Sequence, residues 1–455
     1  MLRTTWKSAF FMFFAFTLFL SASVVIPDGA GGLTWDVFPE MDRTSIQAVV
    51  DSAADGDTIL FHAGLYDWTG APLVGRADNS GAINISDKTL TIRGEEGTLI
   101  MGPQSVNPLA TNAMGVNAFF IADLDQNNDV TFANLTLQSF LRGFSCSYTA
   151  ATYPADVSSP NLRNLTIVDC NLWDIHRDAI SISEIGGNVL IRNNVLNAAR
   201  TVIYVSWYWS VGHAAWQPDD TFIRIFENGI SGSAGILLYQ TTNVRMQDNT
   251  ISTTSAGITI VDTRNGAVVS GNAVENPVQG IYVGASLGGG EAVGAVIEKN
   301  KLKNITGYGI SMLGGSGNHG NVIRGNEIQT APRSYAGLYT FGHNNYFGQN
   351  RITGSGNYAV CLQATISLGT IAHHETMHAN NVDQFSPVYS HFYLRSGTHD
   401  NLIVGSGMDH NTYYDYGYNN RITGVTPLAG GIGGQLSEAI GLKNEELKEA
   451  KSIVF

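Results

Sequence analysis

The sequence has few charged residues, few cysteines and no basic run. Asp, Glu, Lys and Arg make up 14% of the 455 residues, and the formal net charge at pH 7 is −13. Without a basic cluster, such a chain offers no surface for a phosphate backbone, so we expect no nucleic-acid partner. Cys146, Cys170 and Cys361 are too few for a dense disulfide framework. Cys146 and Cys170 also fall on different strands of the repeat described below, which disfavours a disulfide between them.

The chain has one long apolar run, at its beginning. Arg3 and Lys7 precede residues 9–26, which are apolar apart from Thr and Ser. This pattern is typical of a secretory signal, although the run is also long enough to span a bilayer. We predict a signal peptide over residues 1–26, with an uncleaved anchor as the alternative. The protein is then secreted or on the cell surface, extracellular or periplasmic, and it meets a membrane only if the segment is not cleaved.

A short pattern repeats through the middle of the chain. An Asn followed two positions later by an apolar residue recurs at intervals of 21, 23, 28, 26 and 24 residues, at Asn228, Asn249, Asn272, Asn300, Asn326 and Asn350. Runs of alternating apolar and polar residues surround each Asn, as in "NVRMQDN" and "AGITI". Alternation with period two predicts strands, and a fixed period of this length predicts stacked repeats.

Stacking explains how such short strands bury their apolar side chains. One strand triplet has no core of its own, so each strand must pair in parallel with the matching strand of the next unit. Asn and Gly suit the corners, where the repeated Asn also predicts a ladder of side-chain amides. We predict an all-β fold, a single-stranded right-handed parallel β-helix of roughly ten or more rungs over residues 40–425, and a monomer.

Both ends of the predicted coil carry helical patterns. Residues 46–53 have a helical period, with a Thr or Ser start before them and a "DGD" turn and an apolar strand after them. We expect this helix to cover the open end of the stack. The stretch "TSIQAVVDSAADGDTILFHAGLYD" and the Asn-rich rungs resemble pectin-lyase-like β-helix proteins, a resemblance that implies the fold but not one activity. Residues 426–455 are expected to form a C-terminal tail or capping helix.

Aligning the repeats separates inward from outward side chains. One strand column is predicted to point inward at Ile180, Ile203, Ile236, Ile258, Ile281, Ile310, Leu338 and Val360. The next position in each rung is predicted to point outward: Ser181, Tyr204, Leu237, Thr259, Tyr282, Ser311, Tyr339 and Cys361. The outward tyrosines Tyr204, Tyr282 and Tyr339 form a second candidate groove, should the cluster described next prove structural.

A polar cluster precedes this column in "LWDIHRDAIS". Arg177 and Arg200 stack one rung apart in the alignment, and Arg142 of the preceding rung falls beside Asp178. Two guanidinium groups about 4.8 Å apart repel each other unless an anion lies near them. Asp174, Asp178 or Glu184 could supply that anion, which makes the cluster structural. A ligand carboxylate could also supply it, because Arg binds carboxylates in a planar fork.

An aromatic loop leaves the strand column next to this cluster. Residues 206–220, "SWYWSVGHAAWQPDD", hold Trp207, Trp209, His213 and Trp216. Exposed aromatic side chains mark interaction surfaces, and flat rings suit the apolar faces of sugars. We interpret the loop as a sugar-binding wall; the alternative is that its rings pack against one another on the flank of the coil. The expected partner is therefore a polysaccharide or another glycan.

Cluster and loop together favour an enzyme acting on an acidic polysaccharide. A lyase or epimerase neutralises the carboxylate of a uronate, removes the adjacent proton with a base, and then expels a leaving group or returns a proton. We expect Arg142, Arg177 and Arg200 to neutralise the substrate carboxylate. His176 or His213 is the expected base, and Tyr204 is the expected acid. Trp207, Trp209, Trp216 and Glu184 are expected to line the substrate site, with Asp178 among the catalytic residues.

A motif resemblance points to the same chemistry. Alginate (mannuronan) epimerases of this fold carry Asp-Pro-His-Asp with an Arg about one rung later. The sequence Asp174-Ile175-His176-Arg177-Asp178, followed by Arg200, resembles that motif but has Ile in place of Pro and an inserted Arg. Two alternatives stay open. A glycoside hydrolase would pair Asp178 with Glu184 or Asp174 across the scissile bond. A surface or cell-wall adhesin would bind glycan without catalysis.

Two metal-like patterns remain. Residues 374–378, "HETMH", match a zinc-protease motif that requires a helix, but the rung alignment predicts a strand with Met377 inward and His378 outward. We therefore predict no zinc site there. Asp123, Asp125 and Asp129 have acidic spacing but lack the Gly and terminal Glu of an EF-hand. We expect no cofactor, with calcium at these residues as the alternative.

Overall fold

The protein is described here from a computed structural model. The structure describes residues 32–75, 80–110, 112–122, 128–146, 162–183, 185–206, 222–285, 290–314, 317–365, 370–404, 412–423 and 426–427. The predicted signal at 1–26, the aromatic loop residues 207–221, Glu184 and the predicted C-terminal helix lie outside these ranges. Among the described residues, no helix is both long enough and apolar enough to cross a membrane.

One face of the fold is a parallel sheet of 15 described strands, each contributed by a successive turn of the chain. The strands, in order across the sheet and along the chain, are Thr34–Val37, Asp57–Phe61, Thr89–Gly94, Asn128–Ala133, Leu162–Val168, Ile185–Arg192, Ile223–Phe226, Val244–Gln247, Val268–Ser270, Val296–Glu298, Val322–Arg324, Tyr346–Gly348, Thr376–His378, Leu402–Val404 and Arg421–Thr423. Chain order and sheet order coincide, as expected when each strand pairs with its counterpart one turn later.

A second sheet of 22 described strands folds around the remaining faces. Its strands are Gly64–Asp67, Gly81–Ser86, Thr98–Met101, Asn117–Ala122, Thr136–Gln138, Arg142–Cys146, Asn171–Ile175, Asp178–Ser183, Val195–Ser206, Gly229–Thr242, Thr250–Arg264, Ala273–Glu275, Gln279–Gly284, Ala292–Val293, Lys301–Ile305, Tyr308–Leu313, Asn318–His319, Glu327–Thr340, Arg351–Leu362, Phe385–Leu394, Thr412–Asp415 and Thr426–Pro427. Two short antiparallel pairs lie beside it, Val74–Gly75 with Met114–Gly115 and Ala364–Thr365 with Thr370–Ile371.

The pairing register confirms the predicted alignment. The inward column pairs in the order Ile180, Ile203, Ile236, Ile258, Ile281, Ile310, Leu338, Val360, and every member is buried. Their side chains belong to one continuous apolar core that runs the length of the coil. The chain is an all-β, right-handed parallel β-helix, as predicted. Pairing begins at Thr34–Val37, slightly before the predicted start at residue 40.

The predicted asparagine ladder stands at one corner of the coil. The Nδ2 of each Asn donates to the Oδ1 of the next at 2.9 Å, through Asn194, Asn228, Asn249, Asn272, Asn300, Asn326, Asn350 and Asn380. Each of these side chains is buried, and the next Oδ1 also accepts the backbone N–H, as in Asn272 to Asn300 at 3.0 Å. The ladder thus satisfies backbone and side-chain donors together, which a buried corner requires.

A second ladder, absent from our sequence expectations, lines another corner. Asn321 donates to Asn345, Asn345 to Glu375, and Asn401 to Asn420. Glu375 lies in an asparagine position and is fully buried. Burial raises the pKa of its carboxyl to about 8, so the group is largely protonated at neutral pH and resembles an amide. The neighbouring strand Thr376–His378 has Met377 inward, which confirms that "HETMH" is not helical.

A single described helix, Arg43–Ser52, covers the first rungs. Asp42, not a Thr or Ser as expected, caps it by accepting a hydrogen bond from the backbone N–H of Ser45 at 2.7 Å. Ile46 and Val50 are buried against the core. In the described part of the chain, Cys146, Cys170 and Cys361 are buried and form no disulfide.

Candidate functional site

The centre of the predicted cluster is a buried carboxylate. Asp178 is fully buried at the start of Asp178–Ser183. Its Oδ1 and Oδ2 accept hydrogen bonds from Nε and Nη2 of Arg200, both at 2.7 Å, and the backbone N–H of Thr201 is 3.3 Å from Oδ1. This two-point contact fixes the plane of the Arg200 guanidinium, because two of its nitrogens, Nε and Nη2, are bound to the same carboxylate. Asp178 is therefore the predicted counter-anion of the arginines.

Two further guanidinium groups approach the same carboxylate. The Nε atoms of Arg142 and Arg177 lie 3.5 and 3.6 Å from Asp178 Oδ2. Arg142 pairs directly opposite Asp178 in the sheet, as the alignment predicted. Arg177 is 2% exposed and donates from Nη1 to the carbonyl of Pro108 at 2.7 Å. Because Arg177 and Asp178 lie beneath the surface, they position Arg200 and do not reach a ligand in this conformation.

Arg200 is the exposed member of the cluster. Its side chain is 39% exposed, and its backbone N–H donates to Arg177 one rung below at 2.9 Å. A guanidinium carries five N–H donors, of which Arg200 directs two at Asp178. The edge formed by Nη1 and Nη2 is therefore still able to receive a second carboxylate end-on. The buried Asp178 holds that edge in a fixed direction.

His176 lies at the side of the cluster. Its Nδ1 accepts from the backbone N–H of Ser105 at 3.3 Å and lies 2.9 Å from the Ser105 hydroxyl, while its Nε2 is 4.0 Å from Asp174 Oδ2. Burial lowers the pKa of His176, and the Asp174 charge opposes this only in part. The imidazole is thus neutral at pH 7 with its proton on Nε2. In this conformation Nδ1 is occupied by Ser105, so it is able to accept another proton only when this contact opens.

Asp174 is the exposed carboxylate of the cluster. Its side chain is 49% exposed, and its Oδ2 accepts a hydrogen bond from the Ser139 hydroxyl at 2.8 Å. The residue has a φ of 53°, in the left-handed region that Asp tolerates at corners. Asp174 lies near the end of Asn171–Ile175, just before the chain turns into Asp178–Ser183, so the polar cluster lies at a corner of the coil.

Tyr204 follows Arg200 on the same strand, Val195–Ser206, and is half-buried. Burial raises the pKa of its phenol, against the lowering effects of a hydrogen bond to Ser206 and of the Arg200 charge. The hydroxyl is therefore protonated at physiological pH and is able to donate a proton, as the predicted role requires.

The structure brings together Arg142, Arg177, Asp178 and Arg200, with His176 and Tyr204 on the same or adjacent rungs. The predicted residues Glu184, Trp207, Trp209, His213 and Trp216 lie outside the described residues. Sequence reasoning missed Ser105 and Pro108. Ser105 precedes its partner His176 by 71 residues, and Pro108 precedes its partner Arg177 by 69 residues. Both lie in a non-repeating segment, and no periodic signal links that segment to the cluster.

The hydrolase alternative loses its principal residue. A glycoside hydrolase needs two carboxyl groups that both reach the sugar. Asp178 is fully buried and bound to Arg200, so it faces no substrate and cannot pair with Asp174 or Glu184 across a bond. The assignment of Asp178 as an acid or base is corrected accordingly: its place in the cluster is that of an anchor for arginine.

Comparison with known proteins finds one family model, described as periplasmic copper-binding protein (NosD), which matches residues 219–423. No curated protein matches the chain. The A-module of the Azotobacter vinelandii mannuronan C-5 epimerase AlgE6 is a similar solved structure, with 12% identity, 85% of this chain and 96% of that chain covered, and a TM-score of 0.37.

Two further solved structures are similar over most of the chain. The tailspike protein of Escherichia coli bacteriophage HK620, in complex with a pentasaccharide, has 14% identity, covers 84% of this chain and 68% of that chain, and has a TM-score of 0.38. The GH136 lacto-N-biosidase of Eubacterium ramulus has 11% identity, covers 86% and 67%, and has a TM-score of 0.32. At these identities the function of none of them is transferred to this chain.

The copper in the description of the matched family has no evident site in the described residues. They contain no group of three or more His, Cys, Asp or Glu side chains able to hold a metal ion. Cys361, within the matched range, is buried, and burial raises its pKa to about 12, whereas thiolate is the ligand form. The imidazoles of His373 and His374 approach, with their Nδ1 atoms 2.8 Å apart, and the rings of His343 and His399 lie 4.9 and 5.0 Å from that of His373. Of the predicted calcium ligands, Asp123 and Asp125 lie outside the described residues.

Proposed function

We propose that this chain is a secreted carbohydrate-active β-helix protein that binds an acidic, uronate-containing polysaccharide and abstracts the proton next to the carboxylate. One observation carries the proposal: Arg200 is held in a fixed plane by the buried Asp178 and yet is 39% exposed. A fixed, exposed guanidinium edge suits a planar carboxylate, which it binds at two points. A secreted or periplasmic location agrees with the apolar N-terminal run and with the description of the matched family.

The residues divide the chemistry among them. Arg200, supported by Arg142, neutralises the substrate carboxylate and so stabilises the negative charge that develops when the adjacent proton leaves. Tyr204 donates a proton, to the leaving oxygen in a lyase or to the opposite face of the sugar in an epimerase. His176 accepts the abstracted proton at Nδ1 once Ser105 moves away; His213 is the alternative base. Arg177 and Asp178 hold Arg200 in place.

A second function follows from the contact between His176 and Ser105. With Nδ1 engaged, the imidazole has no basic nitrogen directed at a ligand, and the arginine site binds a uronate without reacting. The protein is then a non-catalytic glycan-binding surface or cell-wall adhesin. In that case His176→Ala leaves glycan binding intact, whereas for an enzyme it removes turnover while binding persists.

One incubation separates these functions. Purified protein is incubated with a panel of uronate and neutral polysaccharides, and ultraviolet absorbance, new reducing ends and sugar composition are measured together. A lyase gives an unsaturated, absorbing product; an epimerase changes composition alone; a hydrolase gives reducing ends without absorbance. We expect one of the first two results on a uronate polymer and its loss in Arg200→Ala. Silence in all three across the panel would contradict the enzymatic proposal and favour the adhesin.

A further inference from the structure

A second feature of the outer surface is a continuous strip of tyrosine rings. The tyrosine strip consists of Tyr308, Tyr335, Tyr339, Tyr358 and Tyr393, all half-buried. Neighbouring ring centroids are 4.7 Å apart for Tyr308 and Tyr339, 5.5 Å for Tyr339 and Tyr335, 5.7 Å for Tyr335 and Tyr358, and 4.6 Å for Tyr358 and Tyr393. The last pair is stacked, with an angle of 21° between the rings.

The strip faces the same way as the arginine site. Tyr339 and Tyr393 belong to the outward column that begins near Arg200, which pairs in the order Tyr204, Leu237, Thr259, Tyr282, Ser311, Tyr339, Cys361, Tyr393. Five rung intervals separate Tyr204 from Tyr339, or about 24 Å at about 4.8 Å for each rung. The arginine site and the tyrosine strip therefore lie on one face of the coil, at two positions along its axis.

The polar groups of the strip suit a hydroxyl-rich ligand that carries negative charge. Burial raises the pKa of all five phenols, that of Tyr335 to about 12, so each keeps its O–H donor at physiological pH. The charge of Arg395 lowers the pKa values of Tyr335, Tyr339 and Tyr393, against the larger effect of burial. Arg395 donates a hydrogen bond to the Gln363 side chain at 2.9 Å, and the Gln363 amide donates to the Tyr335 hydroxyl at 3.2 Å.

We propose that the tyrosine strip is a distal subsite for the same acidic polysaccharide, whose chain lies along the coil axis from Arg200 to Arg395. The inference rests on the proposed function, because it assumes that the ligand at Arg200 is a uronate. The uncovered parts of the aromatic rings contact the apolar faces of sugar rings, phenols donate to sugar hydroxyls, and Arg395 pairs with a uronate carboxylate. A sugar unit in an extended chain is about as long as one rung, so successive sugars meet successive tyrosines.

An extended subsite predicts that affinity depends on chain length. A short oligosaccharide contacts only the arginine site or only the tyrosine strip. A long chain contacts both, and its affinity is higher because the second contact forms within the same complex. Removing the strip should therefore weaken the binding of polymer and leave that of a trisaccharide at Arg200 unchanged.

The test compares polygalacturonate and polymannuronate with their trisaccharides, by titration calorimetry on the full chain. The double variant Tyr358→Leu/Tyr393→Leu keeps apolar volume but removes the flat rings. The matched control is Tyr418→Leu, an exposed tyrosine stacked on His399 at 4.9 Å on another part of the coil. We expect the double variant to bind polymer about tenfold more weakly, with the control unchanged. Arg395→Gln, which leaves every ring in place, should weaken the binding of a uronate polymer but not the binding of a neutral polymer.

The outcomes separate this inference from the proposed function. Polymer affinity equal to wild type in both the double variant and Arg395→Gln would overturn the distal subsite, whatever happens at Arg200. Both proposals are supported if Arg200→Ala loses trisaccharide binding and the double tyrosine variant binds polymer more weakly than wild type. If the trisaccharide does not bind at all but polymer binding still falls with the tyrosines, the strip is a glycan site and the proposed function at Arg200 fails. Should the double variant unfold, Arg395→Gln alone decides.

Discussion

Arg200 and Asp178 form a two-point ion pair in which one partner is exposed and the other fully buried. Both nitrogen-to-oxygen distances are 2.7 Å, between Nε and Oδ1 and between Nη2 and Oδ2. The same chain contains other arginine–carboxylate pairs with both partners at the surface, such as Arg192 with Glu227 at 2.8 Å. The buried anchor distinguishes Arg200, since it orients a surface charge that would otherwise sample many directions.

We expect Arg200→Lys to reduce uronate binding and any turnover by about tenfold or more, although the charge is kept. An ammonium is a point charge and loses both the fork that grips Asp178 and the edge that receives a ligand. Arg192→Lys is the matched control, because Arg192 has the same 39% exposure and lies on the other sheet. Equal activity of wild type and Arg200→Lys would show that the arginine serves the scaffold.

Asp178→Asn should destabilise the fold by about 3–5 kcal/mol, because removing one partner of a buried pair leaves charge uncompensated. The free energy of unfolding in urea measures the effect. Glu227→Gln, which breaks an exposed pair, should cost no more than about 1 kcal/mol. Similar losses in both variants would mean that Asp178 does not anchor the arginines.

The fold was readable from sequence because its signal repeats. A single error in register at Ile258 would have conflicted with the rungs on either side, so the eight inward positions support one another. The asparagine ladder was predicted for the same reason. The second ladder was missed, although "HNN", "HHE" and "HDN" recur before Tyr346, Thr376 and Leu402, because Glu375 interrupts the asparagines.

The site was only partly readable, because its decisive contacts do not repeat. Alignment placed Arg142 beside Asp178 and Arg177 one rung from Arg200. It left open which carboxylate neutralises them, since burial of Asp178 depends on side-chain directions that strand alternation does not give. The partners Ser105 and Pro108 enter from an irregular segment, which no period locates. The tyrosine strip was anticipated only at Tyr339. Tyr308, Tyr335 and Tyr358 lie off the aligned column, and Tyr393 follows Cys361, the last member of the column in the sequence alignment.

We expect Asn300→Ala to reduce the free energy of unfolding by about 1–3 kcal/mol, the cost of leaving buried partners of a hydrogen bond unpaired. Asn300 donates to Asn326 and to the Val269 carbonyl, and it accepts from Asn272. The control is Asn197→Ala, which removes an exposed bond to Ser231. Thermal or urea unfolding distinguishes the two, and an equal, small effect would argue against the ladder as a stabilising element.

Glu375 should make stability depend on pH. Its folded pKa of about 8 lies above the value of about 4.3 in an unfolded chain. Between these values the folded state retains a proton that the unfolded state has released, so stability falls as pH rises from about 4.3 and levels off above about 8. Glu375→Gln has no carboxyl to ionise and should be more stable than wild type near pH 8 by at least about 1.4 kcal/mol, the equivalent of one pKa unit.

The comparison of the two proteins at several pH values isolates this group, because other carboxylates contribute equally to both. The difference between Glu375→Gln and wild type should shrink toward acid pH and grow toward pH 8. A difference that does not vary with pH would show that Glu375 titrates normally and is not held protonated by burial.

The most direct test of the account is the affinity of wild type and Arg200→Ala for a uronate trisaccharide and for the same trisaccharide with its carboxylates reduced to alcohols. Calorimetry on the intact chain measures all four values, and circular dichroism confirms that the variant is folded. We predict that wild type binds the uronate about tenfold or more tightly than the reduced sugar, as expected for a two-point carboxylate contact, and that Arg200→Ala abolishes this preference. Equal affinity of wild type for both sugars, or a preference that survives in Arg200→Ala, would contradict a carboxylate site at Arg200.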